Sequence, residues 1–112
     1  MKYALIPIFA ATTALADAPQ VQNVTVTGDR VDVTVLHPDT GWDHYADGWE
    51  VLDVDGKRLG FRELFHPHEN EQPFTRSQSG IVIPEGATSI FIRTRCNVDG
   101  WSDELFEVTL AQ

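Results

Sequence analysis

Cysteine is nearly absent: the 112-residue chain has one, Cys96. No internal disulfide can form, so a small scaffold stapled by cross-links is excluded. An odd cysteine outside the cytoplasm points instead to a partner chain, a reactive thiol, a metal ligand or a small buried hydrophobe. Basic residues are also scarce. Eight Lys and Arg face 17 Asp and Glu, for a formal net charge of −9. Nucleic acid and anionic lipid both call for positive surface, so neither is an expected partner. No apolar run is long enough to span a bilayer, which excludes a membrane-embedded helix. Helical periodicity of useful length, internal repeats and low-complexity segments are missing too. So are a Gly-x-Ser-x-Gly elbow, a phosphate loop and zinc-finger spacing. The carboxylates show no glycosidase-like pairing. A nucleophile pair of Cys96 with His37 or His44 has no visible activating group. No catalytic residue is assigned.

What is present begins with a leader. Lys2 is a one-charge n-region, Ala4 to Ala11 is apolar, and Ala14-Leu15-Ala16 is a small-x-small cleavage signal. Residues 1–16 are expected to be removed, leaving 17–112 as one domain with one modest core. No cysteine stands at the cleavage point, so no lipid anchor is expected there. The product is expected to be periplasmic or secreted.

The rest of the chain is written in alternation. Val21, Val24 and Val26 open a first strand, and Val31, Val33 and Val35 face one way in a second. Trp49 to Val54 forms a third, Asp55-Gly56 a two-residue turn, and Lys57 to Phe65 a fourth. Phe74 to Ile83 returns as a strand broken near Gly80. The last hairpin, Ile90 to Leu110, turns at Asn97, Asp99 and Gly100, which tolerate the backbone angles of a reversal. In its first limb Ile90, Ile92, Thr94 and Cys96 share the inward side, and Phe91, Arg93 and Arg95 the outward one. Phe106, Val108 and Leu110 repeat the inward pattern on the return. Seven short strands at this spacing predict an all-β fold, a seven-stranded antiparallel sandwich of immunoglobulin or fibronectin type.

Chemistry-bearing residues fall in three loops: His37, Asp43, His44 and Tyr45; His66, His68, Glu69 and Glu71; and Cys96 with Asp99. His37 follows the second strand and Cys96 ends the sixth. In an immunoglobulin-like order those strand ends point to the same pole, which brings His37, His44 and Cys96 together. Imidazole and thiolate together suit iron, copper or zinc. His66-Pro67-His68 places two more imidazoles on one loop, a pair that can bind copper or zinc. Trp49 is expected in the core, as the buried tryptophan of the third strand. Trp42 and Trp101, both in loops, are the candidates for a binding surface.

Two blocks carry a family resemblance. His37-Pro38, His44-Tyr45 and Trp49-Glu50-Val51 resemble the iron-binding stretch of superoxide reductases, the desulfoferrodoxin and neelaredoxin group. Cys96-Asn97-Val98-Asp99-Gly100-Trp101 is similar to that family's Cys-Asn-x-His-Gly segment. The resemblance implies an immunoglobulin-like sandwich and an iron held by four histidines and an axial cysteine, which reduces superoxide to peroxide. Carried over by position, His37, His44 and Cys96 match ligands. Asp99 stands where the family has its last histidine, and the first has no counterpart before Val31. The expected site is therefore a mononuclear iron or copper centre of His37, His44 and Cys96, completed by Asp99 or by His66 and His68. A metal ion or a redox protein would be the partner. The alternative is a module without metal that uses Trp42, Trp101 and the acidic His66–Pro73 loop against a protein or glycan.

Overall fold

In the computed structural model residues 18–111 are described; the leader and the expected start at Asp17 lie outside them. Eight strands follow in order: β1 (Gln20–Thr27), β2 (Arg30–Leu36), β3 (Ala46–Leu52), β4 (Arg58–Glu63), β5 (Phe74–Gln78), β6 (Ser89–Cys96), β7 (Gly100–Trp101) and β8 (Phe106–Thr109). All pair antiparallel, and no helix occurs among the described residues. One sheet has the order β1-β2-β5. The other runs β4-β3-β6, with β7 and then β8 along the free edge of β6. The all-β sandwich is as expected, with one strand more than the alternation implied.

The inner faces follow from the alternation. Val31, Val33 and Val35 of β2 are buried against Trp49 and Val51 of β3, Ile90 and Ile92 of β6, and Phe74 of β5. Burying each such side chain contributes about 1.5–3 kcal/mol, which makes this shared layer the main source of stability. Trp49 is among the fully buried residues, as its place on the third strand implied. β6 alternates without a break, its even-numbered residues buried and its odd-numbered ones half-buried.

Three boundaries differ from expectation. The third strand stops at Leu52, because Asp53 leaves the ladder to cap the turn: its Oδ1 accepts from the backbone N–H of Asp55 at 2.9 Å and of Lys57 at 2.9 Å. β5 ends at Gln78, but Ile81 stays buried and donates its N–H to the Asp29 carbonyl at 3.0 Å. The return limb of the last hairpin is split. Gly100 and Trp101 pair with Cys96 and Arg95, whereas Phe106 to Thr109 pair with Ile92 to Ser89. Val108 and Leu110 pack on the core as expected, but Phe106 is 39% exposed.

One end of the sandwich collects four segments. β1 enters with Gln20 paired to Leu36, and the Pro19 carbonyl accepts a 2.7 Å hydrogen bond from the Thr94 hydroxyl. β2 leaves there, β3 begins there, and β6 finishes there with Cys96 paired to Ala46.

Candidate metal centre

His37 is the residue after β2, His44 stands two before β3, and Cys96 is the last residue of β6. The pairing of Ala46 with Cys96 therefore sets the thiol beside the start of β3, and β2 brings His37 to the same pole. One potential ligand atom from each of the three lies within 4.8 Å of the others. The rings of His37 and His44 meet edge to face, 4.8 Å between centroids and 87° between planes. His37 and Cys96 are 0% exposed, and His44 is partly buried. This buried group can hold a metal ion.

Asp39 organises the group. It accepts from His37 Nδ1 at 2.6 Å and from the Ala46 N–H at 3.0 Å on Oδ1, and from the His68 N–H at 2.8 Å on Oδ2. A carboxylate only accepts, so His37 Nδ1 carries the hydrogen and Nε2 presents its lone pair. A carboxylate behind the distal ring nitrogen fixes tautomer and orientation in metal-binding histidines in the same way. Nε2 of His37 and Nε2 of His44 are both buried and without a hydrogen-bond partner. Trp49 Nε1, Arg62 Nε and His68 Nδ1 are buried and unpaired as well, each such atom costing about 1–3 kcal/mol, but only the two imidazoles share a potential ligand group with a thiol. Two such atoms beside a buried thiol fit a cation as the missing partner. Cys96 Sγ accepts a single 3.4 Å contact, from the Val98 N–H.

The loop carrying His44 is held at both ends. Thr40 donates to the His44 carbonyl at 3.0 Å, and His44 donates back to Gly41 at 3.1 Å. Gly41 has φ +133°, a backbone region that favours glycine, and a Cβ there would meet Glu69 Oε2. On the other side, Tyr45 donates to Asn97 Oδ1 at 2.8 Å and accepts from the Asn97 N–H at 3.1 Å.

The remaining expected residues are placed differently. The His66–Pro73 loop reaches the same pole through the bond from His68 to Asp39. Gln72 links it further, donating to the His68 carbonyl at 2.8 Å and accepting from the His37 N–H at 3.0 Å. Neither His66 nor His68 joins the group of three, however. His68 Nε2 accepts from Arg76 at 2.8 Å, and its ring stacks on Phe74 at 3.9 Å. Burial first, and then the Arg76 charge, hold its pKa below the usual histidine value. Asp99 stands in the exposed β6–β7 turn, also outside the group. Trp42 is 66% exposed. Trp101 is half-buried, with the guanidinium groups of Arg93, Arg95 and Arg58 at 4.8, 5.1 and 5.7 Å from its ring. Between Arg58 and Arg93 lies the buried Glu50 carboxylate, at 2.7 Å from each.

Asp39 and Gln72 are the residues that sequence reasoning missed. Asp39 had a local signal, a carboxylate two positions from a histidine. Gln72 had none, because its contact with His37 spans 35 residues.

The fold and the site together define a small β-sandwich with a buried imidazole–imidazole–thiol group at one pole. No protein-family model matches the chain. A protein of Halomicrobium mukohataei named "Putative lipoprotein" is 43% identical over 76 residues, which are 68% of this chain and 37% of that protein. The chain thus spans little more than a third of the relative's length. The crystal structure of hypothetical protein PH1083 from Pyrococcus horikoshii OT3 is similar in fold, with a TM-score of 0.51 and 19% identity, covering 84% of this chain and 88% of that one.

Proposed function

We propose that this is an exported protein whose sandwich holds one transition-metal ion between His37, His44 and Cys96, for redox or metal-handling work. The observation that carries it is the pair of orphaned, buried Nε2 atoms beside the Cys96 thiol. Asp39 keeps the His37 lone pair turned away from itself, and the Tyr45–Asn97 clamp ties the His44 loop to the end of β6. A bound ion would supply one-electron chemistry, or would itself be the cargo. The leader-like start of the sequence and the name of the Halomicrobium relative support export, to a periplasm or beyond the cell. The two blocks that resemble superoxide reductases support the metal. The full iron set of that family has no counterpart at this group, since His68 is engaged by Arg76 and Asp99 is exposed.

Metal analysis and titration test this reading. Purified protein is expected to carry or bind one equivalent of iron, copper or zinc, and to gain thermal stability with it, since an ion that binds only the folded chain raises the melting temperature. Cys96→Ser and His37→Ala should each weaken that response strongly while keeping the β-sheet circular dichroism. No bound metal, no binding and no thermal shift would leave the alternative. That is a metal-free module docking a protein or glycan through Trp42, whose exposed ring is the observation in its favour.

A further inference from the structure

We infer that the ion is copper, held by three protein donors and exchanging one electron through the His44 edge. This deepens the metal-site proposal and rests on it. The first ground is the donor set. Two imidazoles and one thiolate are the His2Cys donor set that copper electron-transfer sites use, and copper heads the affinity order of divalent first-row metals. The second ground is the number of donors. Among the described residues only His37, His44 and Cys96 converge. Structural zinc takes four protein ligands, and zinc on three is the open kind that keeps a water in its fourth position. An octahedral ion would leave three positions for water around a group in which His37 and Cys96 have no solvent contact.

The third ground is what surrounds the donors. Asp39 is the carboxylate bonded to His37, and both its oxygens are already engaged, with His37 Nδ1, Ala46 and His68. It acts as an outer partner that orients the ring, and this keeps the donor set soft and nitrogen-rich. The donors sit on strand ends fixed by the Ala46–Cys96 pairing and the Tyr45–Asn97 clamp. A frame of this kind allows little rearrangement between oxidation states. The Val98 N–H on Cys96 Sγ draws charge from the sulfur, and hydrogen bonding at the sulfur tunes the potential of such centres. His44 is the one donor residue with partial exposure, though its Nε2 is itself buried, so the electron's way in from outside is assigned to this residue.

Binding releases the Cys96 thiol proton to solvent as the copper–sulfur bond forms. One electron from a one-electron donor then takes Cu(II) to Cu(I), with no bond broken and no further proton moved.

The test uses the chain without its leader, stripped of metal and titrated with Cu(II). One equivalent is expected to give an intense visible thiolate-to-copper charge-transfer band. Ascorbate should bleach it, ferricyanide should restore it, and Cu(II) should displace pre-bound Zn(II). Cys96→Ser should lose the band completely and still bind copper weakly through the two imidazoles. Oxidation of Cys96 by Cu(II) to a disulfide-linked dimer without the band would overturn the inference. So would one equivalent of Fe(II) or Zn(II) that copper fails to displace, although the metal site itself would then stand. Failure of every metal to bind would remove both proposals.

Discussion

Tyr45 and Asn97 hold each other through two hydrogen bonds, one from the Tyr45 N–H to the Asn97 side chain at 2.8 Å and one from the Asn97 N–H to the Tyr45 carbonyl at 3.1 Å. Asn97 also donates from Nδ2 to the Trp42 carbonyl at 3.1 Å. The residue after Cys96 is thereby fastened to the residues on both sides of His44. Asn97→Ala keeps the backbone bond and loses the side-chain ones. It should cost about 1 kcal/mol, since the bonds are partly solvated, and should loosen metal binding more than it loosens the fold. Thermal melts with and without metal separate the two effects.

Asp39 serves three donors, so its replacement is felt in three places. Asp39→Asn retains an oxygen for one side but sets an amide N–H against either the His68 N–H or the donors on the other. About 1–3 kcal/mol of stability should be lost for each donor left unpaired. Metal affinity should fall about 10–100-fold, the usual penalty for removing the partner of a ligating histidine. Denaturant unfolding and metal titration of the same variant measure both.

His68 gives the fold a dependence on acid. Its pKa is lowered by burial and by Arg76, which donates to Nε2 and so requires a neutral ring. The unfolded chain, with a histidine pKa of about 6.5, then binds more protons than the folded one, so stability rises with pH through that region. The contribution of His68 is present above about pH 6.5 and is lost as pH falls through the lowered folded value. Melting temperatures between pH 7 and 5 should decline, and His68→Gln should flatten the decline. An unchanged slope in the variant would assign the acid sensitivity elsewhere.

Glu50 is buried on the outer face of the larger sheet, with Arg58 and Arg93 at 2.7 Å on its two oxygens. Both guanidinium groups retain solvent contact, so they can rehydrate when the carboxylate is removed. Glu50→Gln should therefore cost about 1.5–3 kcal/mol, the range for a hydrogen bond to a charged group. A domain of this size would melt about 4–8 °C lower for each kcal/mol lost. The two arginines also flank Trp101, so tryptophan emission should shift in the folded variant.

Much of this architecture was legible because it is local. The alternation of β6 and the valines of β2 name their inner faces directly, and strand ends place His37 and Cys96 at one pole. What was not legible is what tertiary pairing decides. β3 starts at Ala46, before any strong β-former, because Ala46 pairs with Cys96 and Gly48 with Arg95. The split return limb has a similar origin: Ser102 still donates to the Thr94 carbonyl at 2.8 Å, and Glu104 turns to donate to the Ser102 hydroxyl at 3.1 Å. The role of Asp39 depends on His68, which lies 29 residues away. No pattern within the loop foretells that contact.

The pairing of Gln20 with Leu36 and the bond from Thr94 to Pro19 bring the chain into the sandwich beside His37. Thr109 pairs with Ser89, at the far end of β6 from Cys96. The described chain thus starts at the pole that holds the imidazoles. Cargo joined after Ala111 leaves from the opposite pole. A purification handle placed at the C-terminal side keeps clear of the site.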